Sequence, residues 1–469
     1  MLLERWAPRL RRRVVPNRWS HTFGVISMAA MVVLVVTGLY LTYYYDASGP
    51  HVTYDGSYEP LRGVEVTQAY ASTLHLSFEV RGGLLARQAH HWAALVLPAS
   101  LMLQLFTTFL SGAFRKPRRG MWLLLFATFV LALAAGWSGY AMPDDMLSGS
   151  GLRIMHGIML GIPVIGPGIA FLLFGGEFPG HILQTLYPLH VYVLPALLVV
   201  VVALRLRLAF TRGPMHTASE QRHDSQRSRT SALRATIARS GGLFFVAAGA
   251  LVLMGGTMTI SPIWKYGPAD SGTASNGSQP DWYLGFLDGA LRLVPPGWEV
   301  VLGGRTWSLA LLVPIAVVSV FLALVAAYPF IDARITGDNE AHHVLDRARD
   351  NPTRTGVGAA GAVFYGVLLF SAGVDLIASQ FHLSFETLIY FFRVAIVVGP
   401  VLAFVVARAV CIGLQDRERA TEAFGLETGA IVRAPDGGYT ELHAPLGASS
   451  PQPPGPALDP VPAPEDSAA

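Results

Sequence analysis

His90 and His190 each lie near one end of a strongly apolar stretch, in the runs RQAHHW and LYPLHVYVLP. An ionisable side chain in hydrocarbon is costly unless it is paired, so a histidine in a membrane-spanning helix is a functional residue by default. Two such imidazoles at matched depth, on helices that can face each other, can clamp a haem iron from both sides. His91 is the weaker ligand candidate, because it points about 100° away from its neighbour on a helix. Arg87, one turn before His90, is placed to pair with a haem propionate. Gly24 and Gly38 are 14 residues apart in the first apolar stretch, about 21 Å along a helix and nearly on one face. Small residues let a flat porphyrin approach the backbone, and Gly139 offers the same at the outer level of the third stretch. Taken singly, each of these residues is explained as well by helix packing or an internal hydrogen bond.

A chain that carries electrons right across a membrane needs a second ligand pair deeper in. Fourteen residues after His90 stands Gln104, and at the matching depth after His190 stand Leu204 and Arg205. Leu125 lies 14 residues before Gly139. Amide and guanidinium groups are poor iron ligands, and a leucine would intrude where a porphyrin should lie. His21, Met28 and Met102 are the other side chains near this level that could ligate iron. They read as an interfacial residue and as packing. The expectation is one haem at the outer level and an inner site that is lost.

The elements that must position these residues are membrane helices. Hydrophobic residues make up 52% of the chain and charged ones only 14%, the composition of a polytopic membrane protein. A hydrocarbon core takes about 20 apolar residues per span, and eight stretches qualify: 22–45, 88–111, 120–141, 186–210, 240–262, 307–330, 358–379 and 386–411. An open sheet edge cannot face lipid, so the fold class is all-α. Arginine collects before the first span, at Arg115–Arg119, between Arg205 and Arg239, and from Ile331 to Val357. The positive-inside rule therefore places both termini in the cytoplasm and the loops 46–86, 142–185, 263–306 and 380–385 outside. The net charge of +3 reflects this asymmetry and is no nucleic-acid signature. No cleavable leader is expected, since arginines run straight into the first span. Cys411 is the only cysteine, which excludes internal disulfides, covalent haem attachment and a cysteine-bound iron–sulfur cluster in this chain.

The expected organisation is a cytoplasmic segment at 1–21, a four-helix haem-binding domain at 22–210 and a Ser/Arg-rich cytoplasmic linker at 211–239. A second four-helix domain at 240–411, a cytoplasmic tail at 412–446 and a disordered Pro/Ala-rich end at 447–469 follow.

Several long runs resemble the cytochrome b subunit of quinol–cytochrome c reductases, in its actinobacterial menaquinol type. They include GGLLARQAHHWAAL, SGAFRKPR, GYAMPDDMLSGSGLR, SPIWKYGP, SQPDWYLGFLDGALRL and HHVLDRARDNPTRT. The resemblance implies an outer quinol pocket beside a low-potential b haem. Quinol there gives one electron to a mobile Rieske-type iron–sulfur subunit and the other to the haem. It also implies a cytochrome c subunit, a dimer within a complex, and the bacterial plasma membrane. The family's four-residue pocket motif is present as Pro280, Asp281, Trp282 and Tyr283. Asp281 would accept the quinol proton and Tyr283 would position the quinol or the iron–sulfur partner. Gly139, Tyr140 and Pro143 match the pocket's other wall. By residue type alone, Asp281 could equally cap a helix within an aromatic belt formed with Trp264 and Trp298. His156, which the family does not require, reads as a solvated loop residue.

The chain departs from the family at the inner haem, where the family has two more histidines, a glycine in place of Leu125 and an arginine in place of Thr107. The expected function is a one-haem quinol-oxidising subunit. A non-catalytic scaffold or assembly paralogue, and an ordinary two-haem subunit with unusual inner ligands, are the alternatives.

Overall fold

The computed structural model describes residues 20–213, 215, 229–270, 272–273, 279–433 and 435–445, with 229–234 as backbone only. The arginines before residue 20, residues 216–228 of the expected linker and the Pro/Ala-rich end at 447–469 lie outside the described residues. Among the described residues, eight helices are long and apolar enough to cross a membrane.

The chain opens with α1 (Ser20–Thr42), then a short hairpin of β1 (His51–Thr53) and β2 (Glu65–Thr67). Next come α2 (Gln68–Phe78), α3 (Gly83–Leu110) and α4 (Arg119–Tyr140). The loop after α4 carries α5 (Met146–Gly161) and α6 (Gly166–Phe174), and leads to α7 (Ile182–Pro188), which runs on into α8 (Leu194–Arg212). The second half holds α9 (Arg229–Thr257), α10 (Ile263–Tyr266) and α11 (Gly285–Leu293). It continues with the hairpin β3 (Glu299–Leu302) and β4 (Arg305–Ser308), then α12 (Leu309–Thr336), α13 (Pro352–Ala372), α14 (Val374–Phe381) and α15 (Phe385–Phe424). A last hairpin, β5 (Leu426–Arg433) and β6 (Tyr439–Ala444), ends the described chain.

Close packing around α1 and α3 follows from small residues at the crossings. Ala29 and Ala30 of α1 and Ala93 of α3 are wholly buried. The Ser27 and Ser100 hydroxyls bond across that seam at 2.8 Å. Gly255 brings α9 so near α3 that a Cβ there would lie 2.6 Å from the Ala89 backbone nitrogen. Between helices in lipid there is little hydrophobic drive, so such approach and interhelical hydrogen bonds hold the bundle.

The three largest differences of boundary from the sequence expectation lie in the last four spans. The seventh span stops at Ala372 rather than 379, and the amphipathic α14 follows as a separate element after Gly373. The last helix runs to Phe424, well past Cys411, because the charged run QDRERATEAF favours helix after the apolar stretch ends. The helix of the fifth span starts at Arg229, inside the expected linker.

At the end opposite His90, Asp346 accepts from Arg115 at 2.6 Å, from Arg354 at 2.7 Å and from Asn351 at 3.1 Å. These bonds tie the connection between α3 and α4 to the α12–α13 loop and so join the two halves.

Candidate functional site

His90 and His190 face each other near one end of the bundle with ring centroids 6.2 Å apart. Two metal–nitrogen bonds of about 2 Å, each with about 1.1 Å from nitrogen to ring centre, would give about 6 Å. The pair therefore has the spacing of two imidazoles on opposite sides of one metal.

Each ring is held by its other nitrogen. His90 Nδ1 lies 2.9 Å from Thr37 Oγ1, whose hydroxyl donates to Val33 O at 2.6 Å. His190 Nδ1 lies 3.0 Å from Ser138 Oγ, which donates to Ala135 O at 3.0 Å. Since both hydroxyl protons go to carbonyls, the hydroxyl oxygens accept from Nδ1–H. That leaves the Nε2 lone pairs free to ligate, the arrangement in which an outer partner fixes the tautomer of a metal-binding histidine. His190 lies in a π turn over Leu189–Val193, closed by Leu194 N–H onto Leu189 O. Pro195 lacks an N–H and crowds the carbonyl four residues back, and the wider turn relieves this.

Glycines make room beside both rings. A Cβ on Gly38 would stand 3.2 Å from His90 Cε1, and one on Gly139 would stand 2.6 Å from His190 Cε1. Arg87 is only 8% exposed. It donates to Ser261 O at 2.8 Å, yet its Nε is buried without a partner, so the guanidinium has donor capacity open for an anionic group. Imidazoles, glycine cradle and arginine together fit a haem.

One cavity of about 290 Å³ takes in this pair and more. Its wall includes Arg87, Gly38, Gly139, Tyr140, Pro143, Asp281 and Tyr283. The structure thus brings together residues far apart in the chain. Pro280 and Trp282 flank this wall without forming it, and Trp282 packs on the hydrophobic core. Asp281 does not use its side chain as a helix cap. Its carboxylate accepts from the Tyr283 hydroxyl at 2.9 Å and from His91 Nε2 at 3.1 Å to both oxygens. Burial, then the adjacent Asp281 charge, holds the Tyr283 hydroxyl well above its ordinary pKa, so it stays a donor at any physiological pH.

The turn that carries Asp281 is anchored on both sides. Gln279 Nε2 donates to Asp375 at 2.8 Å, and Arg292 of α11 bridges Asp288 at 2.7 Å and Asp375 at 3.3 Å. Gly136 opens the space on α4 into which the Tyr283 ring fits.

Gln104 and Arg205 pair at the inner level. Arg205 Nη1 donates to Gln104 Oε1 at 3.1 Å. A Cβ on Gly24 would stand 2.9 Å from Gln104 Nε2, so the amide takes up the space beside α1. Leu125 is 1% exposed within the core, whereas Leu204 is 45% exposed and faces outward. Of the two positions weighed on α8, only Arg205 reaches Gln104. His156 differs from expectation, since its ring lies 4.5 Å from that of Phe174 and 5.8 Å from that of Phe178 and is half-buried among aromatics. His91, in sequence only the weaker candidate for an iron ligand, bonds instead to Asp281, 190 positions away.

A bundle of membrane-length helices around a paired-imidazole cavity defines a multi-pass membrane protein built for a metal cofactor. Residues 95–268 match the family described as Cytochrome b(N-terminal)/b6/petB. The chain is 42% identical over 436 residues to the cytochrome bc1 complex cytochrome b subunit of Streptomyces coelicolor, covering 93% of this chain and 80% of that one. It is also 42% identical to the subunit of that name from Mycobacterium leprae, over 93% of this chain and 79% of the other. A chain of a solved structure described as "Hyperthermophilic respiratory Complex III" shares the fold, with a TM-score of 0.61 at 17% identity over 86% of this chain and 96% of that one. The chain belongs to the family of cytochrome bc1 complex cytochrome b subunits. Membership implies a b-type haem.

Replacing Ser138 with Ala removes the acceptor from His190 Nδ1–H without touching the metal-facing nitrogen. Haem should still bind, with affinity lowered roughly 10- to 100-fold, read as faster transfer to an excess of a competing haem acceptor. Unchanged retention would show that the hydroxyl has no part in holding the ring.

Proposed function

We propose that this chain is the membrane subunit of a menaquinol–cytochrome c reductase that holds a single b haem at its outer end and oxidises quinol beside it. The observation that carries this reading is the shared cavity, whose wall includes both the facing imidazoles and the Asp281–Tyr283 pair. His90 and His190 would hold the haem through Nε2, Arg87 would take a propionate, and Gly38 and Gly139 leave the ring its room. When bound, the haem supplies a one-electron acceptor beside the quinol.

Asp281 takes up the proton that a quinol hydroxyl releases, a role that suits a carboxylate at the membrane boundary. Tyr283 orients that carboxylate, and Tyr140 and Pro143 form the facing wall. Pro280 and Trp282 set the turn. The first four spans form the haem-binding half, and the last four carry the quinol motif. At the inner level Gln104 is bonded to Arg205 and Leu125 is buried in the core, which supports one haem rather than two. The arginine distribution supports cytoplasmic termini in a bacterial plasma membrane. The partners are a Rieske-type iron–sulfur subunit, a cytochrome c subunit and a second copy of the chain within the complex.

The test is reduction of cytochrome c by a reduced menaquinone analogue in the assembled complex. Steady turnover accompanied by reduction of the b band supports the reading. A complex that assembles with this chain but shows neither would instead make it a scaffold.

A further inference from the structure

We infer that His91, next in sequence to a proposed iron ligand, is a positioning residue for quinol oxidation and acts by donating a hydrogen bond that orients the Asp281 carboxylate. The inference rests on the outer-pocket reading above. Consecutive residues on a helix point about 100° apart. On α3, His90 accordingly faces His190 while His91 faces the turn that carries Asp281. Its Nε2 lies 3.1 Å from each carboxylate oxygen. The two side chains are 16% and 15% exposed, and both line the cavity.

A carboxylate accepts at about four positions. Tyr283 occupies one, on Oδ2, and the His91 N–H spans the two oxygens, which leaves acceptor capacity on the side that lines the cavity. Two donors from different elements, α3 and the turn Trp282–Leu284, fix the plane of the carboxylate. Because α3 also carries His90, the separation between carboxylate and iron ligand is set by one rigid helix rather than by a loop. A misplacement of about 1 Å can cost about 100-fold in rate, so this hydrogen bond has a kinetic consequence.

Glutamine tests donation directly. Its amide nitrogen lies as many bonds from Cβ as Nε2 does in histidine, and it does not titrate. With a reduced menaquinone analogue and the assembled complex, His91→Leu should lower kcat roughly 10- to 100-fold at nearly unchanged KM and unchanged b-haem absorbance. His91→Gln should keep kcat within about threefold of the parent, since it restores the donor. In an Asp281→Asn background, His91→Leu should change the rate by less than about twofold, because the residue acts only through Asp281.

Equal losses from His91→Leu in both backgrounds would overturn the inference, since a purely structural role costs the same in each. So would a Gln variant as slow as the Leu variant with its haem intact. If Asp281→Asn itself leaves turnover unchanged, both the inference and the outer-pocket reading fall. If Asp281→Asn stops turnover while His91→Leu leaves it alone, only the inference falls.

Discussion

Replacing His90 with Ala should strip the chain of b-type haem. Of the three imidazoles lining the cavity, His91 is bonded through Nε2 to Asp281, and the Nδ1 atoms of His90 and His190 are tied to Thr37 and Ser138, so one Nε2 on each side is left to face a metal there. Among the described residues, no cluster of three or more His, Cys, Asp or Glu side chains could hold a metal ion, so no grouped ligand set stands in for a lost histidine. Loss of an outer hydrogen bond already weakens such sites by about 10- to 100-fold, and loss of a ligand should exceed that. His190→Ala should behave alike. Gln104→Ala is the informative control. Its amide hydrogen-bonds Arg205 at the inner level, and haem content should be unchanged. The measurement is the reduced-minus-oxidised b band per mole of purified chain. Half the haem surviving in His90→Ala would mean that another site exists.

Asp281→Asn should slow quinol oxidation by about 100- to 10,000-fold, the usual contribution of a positioned acid or base, with the b haem retained. The amide matches the carboxylate in size but cannot take a proton from quinol. It would also set an NH2 group against the two donors that now point at the side chain, His91 Nε2 and the Tyr283 hydroxyl. The measurement is kcat for a reduced menaquinone analogue, alongside the b-band spectrum. A rate within about threefold of the parent would remove Asp281 from proton transfer.

Much of this site was legible because membranes leave few readings for a polar residue. His90 and His190 stood out as imidazoles in hydrocarbon, and Gln104, Arg205 and Leu125 stood out by position fourteen or fifteen residues inward. Helical periodicity fixes depth and face, and depth and face were what the inner-level argument needed. Periodicity is silent about partners on other elements. It turned His91 away from His90 and said nothing of where it pointed, so the contact with Asp281 emerged only in three dimensions. The π turn at Leu189–Val193 was hidden for a related reason. Pro188 and Pro195 announce trouble in the hydrogen-bond ladder but not how the backbone resolves it. Hydropathy also marks where a membrane ends rather than where a helix ends, which is why α15 ran past Cys411 to Phe424. Gly373 separated two elements that apolar composition had merged.

The proposed single haem has a functional consequence. One 14-residue helical segment spans about 21 Å, and on this reading no second haem bridges that distance; the Arg205–Gln104 hydrogen bond lies at its inner end. An electron arriving at the outer haem then has no second metal centre within the chain to reach, so continued turnover requires that it leave the haem to a quinone or to a partner subunit.

Haem stoichiometry joined to a redox titration bears on this most directly. Pyridine-haemochrome analysis of the purified complex, per mole of this chain, should return one b haem, and its titration should follow a single midpoint. Two b haems per chain with two resolved midpoints would contradict the account.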